Sequence, residues 1–376
     1  MASVMLLNGH QRSDLAITRS LGKKGIDVIV GGNRKLSRSF YSKYCAKHFV
    51  YPASTIDEMH NAILSNVQEH RPEVLLPSGH DTTYLVLANL AEYRKHCKIA
   101  PLPTLAQFNE MNDKALMTRK CEKLGFAVPK TYYPSPKDIR KLSQQIRYPV
   151  LIKPRIGSYA RGIQRADSPR ELVAKYRLST QQENATGYDC SKPIIQEYIP
   201  TEITYSVDVL FDKGRHMASV VKKSLRHYPI PYGSPVANTT LPNKDMRQQV
   251  VKFFAKLKWN GPAVVQLMID PRDSVAKIIE VNPRLGATVD SSIQAGIDIP
   301  YMMYKMALKE KVRPLSDYTT GQEYRWLLFG EIRHMLRQKK ILKEYCLKKI
   351  KTEIELADIK PHLAQVLDLI KNGSVT

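Results

Sequence analysis

Three successive segments, VVQLMID, PRDSVAKII and EVNPR, set Gln266, Glu280, Asn282 and Arg284 at offsets suited to phosphoryl chemistry. Ala263 to Asp270 alternates toward an apolar strand, Pro271 to Ser274 is a cluster of turn residues, and Ala276 to Val281 reads as a second strand. Antiparallel pairing across that turn predicts Gln266 close to Glu280. Asn282 falls on the side of Glu280, because strand side chains alternate with period two. An amide oxygen, a carboxylate and a second amide oxygen are hard ligands of the kind Mg²⁺ takes while it also holds phosphate oxygens. Arg284, just past Pro283, adds a guanidinium fork that could reach a transferring phosphoryl group. The competing reading is a surface hairpin that merely carries polar residues. Against it, polar side chains facing inward from apolar strands need partners to offset desolvation.

A Gln followed fourteen residues later by E-x-N-x-R resembles the metal site of ATP-grasp enzymes, above all the branch containing carbamoyl phosphate synthase, biotin carboxylase and D-aspartate ligase. The resemblance implies partners elsewhere in the chain. Lys114 lies in MNDKALMTRKCEKLG, predicted as a helix with Asn112 or Asp113 near its start and Gly125 as its stop. It matches a family lysine that contacts a phosphate, although a lone lysine on a helix is ordinarily solvated surface. In YPVLIKPRIGSYARGI, Lys153 matches the strand lysine that touches the nucleotide phosphates. Gly157, Ser158, Arg161 and Gly162 match the flap that closes over them. Backbone N–H groups of such a loop approach phosphate where no Cβ intervenes. This flap is glycine-poor, with Ser158, Tyr159 and Ala160 where glycine is common, and Arg161 resembles an arginine of the biotin carboxylase flap.

After a polar linker from Ser179 to Lys192 comes PIIQEYIPTEITYSVDVLFDKG, read as two strands. Glu197, Tyr198 and Ile199 match the family's adenine strand. A purine needs an apolar slot and a few directed backbone bonds, which a strand edge supplies. The glutamate that holds the ribose in relatives falls at Thr204. Either Glu202, nearby but out of step, replaces it after a local shift, or the ribose is held more weakly. HMASVVKKSLRHYPIPYGSP reads as a strand running into a basic loop. Lys222, Lys223, Arg226 and His227 then stand near the reacting centre or on a charged surface. DMRQQVVKFFAKLKW spaces Val250, Val251, Phe254 and Leu257 as a core helix. GATVDSSIQAG reads as a helix whose N-terminus, following Arg284, would favour an anion.

The elements ahead of these motifs form a parallel α/β unit. Val4 to Leu7 is a strand, Asn8 to His10 a turn, Ser13 to Lys24 a helix and Ile26 to Val30 the next strand. A second round follows with a helix at Ile56 to Glu69, a strand at Glu73 to Pro77, the loop SGHDTT and a helix at Thr83 to Lys95. NGHQRS has one glycine where the dinucleotide fingerprint G-x-G-x-x-G needs three, so NAD binding is rejected. By resemblance, the loops Asn8 to Arg12 and Ser78 to Asp81 are where an acceptor substrate would lie; the alternative is ordinary turns. The implied fold is α/β and α+β: a Rossmann-like pre-ATP-grasp domain (1–110), two ATP-grasp subdomains (111–192 and 193–310), and a basic, mainly helical C-terminal segment (311–376).

The implied cofactors are ATP and two Mg²⁺ ions bridged by Glu280, with Mn²⁺ as the alternative metal. The implied chemistry is attack of a substrate carboxylate on the γ-phosphorus, Lys114, Lys153 and Arg284 offsetting developing charge, and displacement of phosphate from the acyl phosphate by an amine. An enzyme using bicarbonate and a non-enzymatic binder of nucleic acid or anionic surfaces remain open alternatives. Five scattered cysteines without CxxC pairs suggest neither a zinc site nor a disulfide framework. With no leader pattern at MASVMLLNGH, the expectation is a cytoplasmic protein, with association at the inner face of the membrane as a variant of it. A homodimer is compatible with all of this.

A net charge of +23 points to an anionic partner. It is densest between Glu331 and Thr352, where Arg333, Arg337, Lys339, Lys340, Lys343, Lys348, Lys349 and Lys351 face only Glu331 and Glu344. Interleaved apolar residues make this a basic amphipathic stretch, suited to an anionic membrane surface or acidic polymer, or else a helix packed on the body with a solvated face. No RNA-binding aromatic motif accompanies it, so sequence-specific nucleic-acid binding is not expected.

Overall fold

The computed structural model describes residues 2–157, 160–181, 192–230, 233–338 and 350–372. Three sheets divide the chain. The first is parallel, in the order β3-β2-β1-β4-β5, and is built from β1 (Ser3–Leu6), α1 (Arg12–Gly22), β2 (Asp27–Gly32), β3 (Cys45–Val50), α2 (Ile56–His70), β4 (Val74–Leu76), α3 (His80–Ala88), α4 (Leu90–Tyr93) and β5 (Lys98–Ile99). The short apolar strands are buried on both faces, as parallel strands between helices must be. Gly25, at φ +76°, turns the chain out of α1, and Thr55 caps α2 by accepting from the Glu58 N–H. Two details depart from the pattern read above. β3 falls at CAKHFV, which has no apolar alternation because Lys47 and His48 face solvent. The helix expected over Thr83 to Lys95 breaks at Asn89, whose side chain bonds back to the Leu85 carbonyl.

The second sheet is antiparallel and smaller. It follows α5 (Leu105–Asn112) and α6 (Lys114–Lys123), and joins β6 (Thr131–Tyr132), β7 (Val150–Lys153), β8 (Gln164–Ala166) and β9 (Ile194–Glu197) in the order β6-β9-β7-β8. α7 (Ile139–Ser143) and α8 (Pro169–Gln181) cover one face, over a core that includes Ile139, Ile152, Leu172 and Tyr176.

The third sheet holds seven strands in the order β14-β13-β10-β11-β12-β15-β16. Its elements are β10 (Tyr205–Asp212), β11 (Arg215–Tyr228), β12 (Ser234–Thr240), α9 (Lys244–Lys256), β13 (Gly261–Ile269), β14 (Ala276–Asn282), α10 (Val289–Gln294), α11 (Ile299–Ala307), β15 (Glu323–Arg325), α12 (Ile332–Gln338), β16 (Lys351–Thr352) and α13 (Lys360–Asn372). α9 buries Met246, Val250, Phe253 and Phe254 beneath this sheet. On the opposite face Leu210, Ala218 and Val220 share one apolar core with Leu285, α11 and the parallel sheet. The two sheets are therefore bridged by residues 285–304.

The basic loop expected after Val221 is not a loop. β11 continues through Lys222 to Tyr228, because β12 pairs with it from Lys222↔Thr240 to Tyr228↔Ser234. The C-terminal segment also contributes two strands, β15 and β16, to the third sheet. Of its basic stretch, residues 339–349 lie outside the described residues. The start of that stretch packs on the body: Glu331 is buried and ion-paired with Arg226 and Arg325, and the His334 ring nitrogen lies 2.8 Å from the His227 carbonyl. Among the described residues no helix is long and apolar enough to cross a membrane.

Candidate active site

β13 and β14 form the expected hairpin, with Gln266 directly opposite Glu280 and Val264 opposite Asn282. A register shift just after Gln266 pairs Leu267 with Ile278, leaving Ile279 as the extra residue of a bulge. The third-sheet face that carries these side chains forms one wall of a cleft enclosing about 1560 Å³ including its open mouth. The second sheet forms the other wall. Gln266, Glu280, Asn282, Arg284, Lys114, Lys153, Gly157, Arg161, Glu197, Tyr198, Ile199 and Glu202 all line it; Gly162 stands beside it in the same loop. Ser158 lies outside the described residues.

Asp113, read from the sequence as a candidate start of the helix, ties the element carrying Lys114 to the end of the strand carrying Lys153. Asp113 caps α6 by accepting from the N–H groups of Ala115 and Leu116, and its carboxylate also takes the Arg155 guanidinium at 2.5 Å. The Lys114 N–H in turn donates to the Arg155 carbonyl at 2.8 Å. The start of α6 is thus tied to the end of β7, and Lys114 and Lys153 enter the cleft from adjoining positions. Lys114 Nζ lies 3.1 Å from Glu280 Oε1 and donates to the Gly157 carbonyl at 3.1 Å. Lys153 is 7 % exposed and donates to Gln196 Oε1 at 2.7 Å. Burial, reinforced by the neighbouring Lys114 charge, pushes its pKa down to about 8, against a smaller opposing pull from Glu280. Arg284 donates to Asn282 Oδ1 at 3.2 Å and to the Leu285 carbonyl at 2.9 Å, which holds its guanidinium beside the carboxamide.

Three hard oxygens on one face fit a divalent cation that keeps several ligands from phosphate or water. Among the described residues no group of three or more His, Cys, Asp or Glu side chains gathers, so such an ion would rest on the Glu280 carboxylate and two amide oxygens. Lys114 beside Glu280 balances that carboxylate's charge.

At the other end of the cleft Pro129, Leu151, Ile163, Ile199, Met268 and Ile279 make an apolar slot. The Glu197 and Tyr198 N–H groups are occupied by the Lys130 and Pro149 carbonyls, and the Tyr198 ring is covered by the Arg165 guanidinium at 4.6 Å. The Glu197 carboxylate accepts from the Lys130 N–H and pairs with Arg272 and Lys277. Ala160, at φ +57°, adopts the left-handed conformation natural to glycine, and Gly162, at φ +74°, has Pro154 against the position a Cβ would take.

Thr204 and Glu202 separate in role. Glu202 is exposed on the rim. Thr204 Oγ1 stands 3.1 Å from His227 Nε2, while His227 Nδ1 is 2.8 Å from the Gly233 carbonyl. A carbonyl only accepts, so Nδ1 carries the proton and Nε2 accepts from the threonine hydroxyl. Burial lowers the His227 pKa, which favours this neutral form. Of the other basic residues on β11, Lys222 is buried under the cleft, bonded to Asp208 at 2.6 Å and Thr288 Oγ1 at 2.8 Å, and Arg226 turns away to Glu331. α10, expected to offer its N-terminus to an anion, is only six residues long and carries Asp290 in its first turn.

The loops of the parallel sheet divide likewise. Asn8 and Ser78 spend their polar groups on one another's loops: Asn8 Oδ1 accepts from the Gly79 N–H and Thr82, and buried Asp14 accepts from Ser78. Burial raises the Asp14 pKa to about 6. Asp81 is exposed, whereas His10 is largely buried and burial pushes its pKa down to about 4. Arg12 reaches across to Ser234 and the Pro235 carbonyl on the cleft wall, and the Asp81 pKa is lowered by bonding to His80 and, more weakly, by the charge of Arg284.

Comparison with known proteins places this geometry. Residues 189–328 match the family described as ATP-grasp in the biosynthetic pathway with Ter operon. Curated relatives include the mitochondrial methylcrotonoyl-CoA carboxylase subunit alpha of Glycine max, 24% identical over 217 residues, or 54% of this chain and 29% of that protein. The carbamoyl phosphate synthase large chain of Clostridium botulinum is 24% identical over 306 residues, 79% of this chain and 27% of that protein. The chain thus spans less than a third of the length of these relatives. Among solved structures, the biotin carboxylase of Campylobacter jejuni in complex with β-γ-ATP has a TM-score of 0.71 at 18% identity, over 85% of this chain and 74% of that one. N5-carboxyaminoimidazole synthetase of Staphylococcus aureus has a TM-score of 0.65 at 14% identity, over 86% and 80%. The chain has the ATP-grasp fold, and residues 189–328 match an ATP-grasp family model.

Proposed function

We propose that the chain is an ATP-dependent carboxylate–amine ligase that forms an amide through an acyl phosphate, releasing ADP and phosphate. The observation that carries this reading is the hairpin register. It sets Gln266 against Glu280, with Asn282 one step on, in the same cleft as Lys114, Lys153 and Arg284. Glu280, Gln266 and Asn282 are the residues that would hold Mg²⁺, which when bound neutralises phosphate charge and polarises the γ-phosphoryl group.

The remaining work falls to the chain's own side chains. The apolar slot and the Glu197–Ile199 edge take adenine, and the Thr204–His227 pair stands in the region where the ribose hydroxyls would fall. Lys153 and Lys114 offset charge on the phosphates. The flap of residues 157–162, with Arg161 on it, excludes water from the acyl phosphate. Arg284 positions the carboxylate that attacks the γ-phosphorus, and Asp81, facing it from the parallel sheet, marks the side from which the amine arrives.

Bicarbonate as the carboxylate is a second reading. It is favoured by the names of the relatives, several of which are carboxylases, and by the carbamoyl phosphate synthase match. ADP release separates the two. Pools of organic acids and amines are supplied singly and together, with and without bicarbonate. Release that needs both an acid and an amine supports the ligase, release that needs bicarbonate supports the carboxylase, and none under any combination sinks both.

A further inference from the structure

α13 is built inside out. Its inner face is polar: His362, Gln365 and Asp368 are buried, His362 Nε2 is 3.1 Å from the Glu353 carbonyl, and Asp368 is 3.5 Å from Arg34 Nη1. Its outer face is apolar and exposed, with Leu363, Val366, Leu367 and Ile370 continuing a line from Leu356 and Ile359 in the turn before it. Leu356 and Ile370, at the two ends, are 86 % and 74 % exposed. The line Leu356, Ile359, Leu363, Val366, Ile370 alternates steps of three and four, the spacing of a seam that packs against another helix. The helix cannot roll its apolar face inward without breaking Asp368 from Arg34 and the adjoining Asp358 from Arg19.

We propose that this stripe is the isologous interface of a homodimer, with the two copies of residues 355–371 antiparallel about a two-fold axis at Leu363. Five of the six apolar positions are self-complementary about that point, and the sixth, Val366, lies opposite the stem of Lys360. Leu356 then meets Ile370 of the second copy, Ile359 meets its Leu367, and Leu363 meets its own equivalent; at the ends Glu355, which Lys23 already pairs at 2.8 Å within the chain, also faces exposed Lys371. A two-fold axis requires such pairing, because one patch must serve both partners. The six apolar side chains leave roughly 600 Å² open to water, large for a monomer. Doubled across the axis this is about 1,200 Å², the lower bound of stable interfaces.

Sedimentation equilibrium of the full chain over a wide concentration range tests the proposal. The wild-type chain is expected to show a monomer–dimer equilibrium. Leu363→Glu, which sets two carboxylates against each other on the axis, should raise the dissociation constant at least about 100-fold. Lys371→Glu, which faces Glu355 with a like charge, should raise it about tenfold. Both positions are exposed in the single chain, so circular dichroism stays native and the melting temperature matches the wild type at concentrations where both are monomeric. A chain that is monomeric throughout, its stripe covered by residues 339–349 or by another protein, overturns the proposal. So does a dimer whose dissociation constant ignores Leu363→Glu.

Discussion

Lys153→Met removes an ammonium from the floor of the cleft and keeps a side chain of similar reach. The folded-state pKa of Lys153 is pushed down from 10.5 to about 8, chiefly by burial. A displacement of that size corresponds to about 3 kcal/mol of penalty for carrying the charge in the folded protein. Below pH 8 both folded and unfolded chains hold the proton, and the penalty is paid in full. Between pH 8 and 10.5 the unfolded chain binds more protons than the folded one, so stability rises with pH across that window. Methionine does not titrate. The stability of the wild-type protein relative to Lys153→Met should therefore rise by about 3 kcal/mol between about pH 7 and pH 10.5, and titrating groups that do not sense the Lys153 charge cancel in the comparison. Losing the hydrogen bond to Gln196 shifts the absolute value at both pH values alike. Urea unfolding of the two proteins at each pH measures the quantity. A difference that stays constant to within about 0.5 kcal/mol would show that the Lys153 ammonium is not desolvated, and the reasoning that ties its burial to phosphate binding would fail.

Glu280→Ala should lower ADP release by at least about 1,000-fold while far-ultraviolet circular dichroism stays native; a variant that keeps metal-dependent turnover removes Glu280 from the site. Thr204→Val deletes the hydroxyl bonded to His227 and should raise the KM for ATP about tenfold with kcat unchanged, and an unchanged KM would place the ribose elsewhere. Lys222→Met leaves Asp208 buried without its cation and should cost about 3 to 5 kcal/mol in urea unfolding; a loss below about 1 kcal/mol would mean that water reaches Asp208.

The parallel sheet was legible because its strands and helices differ in period, and the β13–β14 hairpin because two strands joined by a turn cluster fix which side chains face each other. β3 was not, since CAKHFV is recognisable as a strand only through its pairing with β2. The basic residues of β11 were read as a loop for the same reason. Their neighbours in the sheet, Thr240 to Ser234, come later in the chain and convert a charged stretch into a strand. Once in the strand, alternation sends Lys222 under the cleft, and Arg226 is drawn off by a glutamate a hundred residues away.

By itself, then, the sequence determined most helices and strands of the parallel sheet and the register of the β13–β14 hairpin, because both follow from contacts between residues close in the chain. Only the tertiary structure decided which cation does what. Lys114 reaches Glu280 because Asp113 and Arg155 tie α6 to β7, and Thr204 meets His227 because β10 lies beside β11. It likewise decided that α13 buries its polar face and leaves its apolar one to solvent, the reverse of what its amphipathic pattern suggests. Arginines on distant elements pair with Asp368 on the helix and with Asp358 in the turn before it. Each of these outcomes depends on a partner far along the chain, whose position local spacing does not encode.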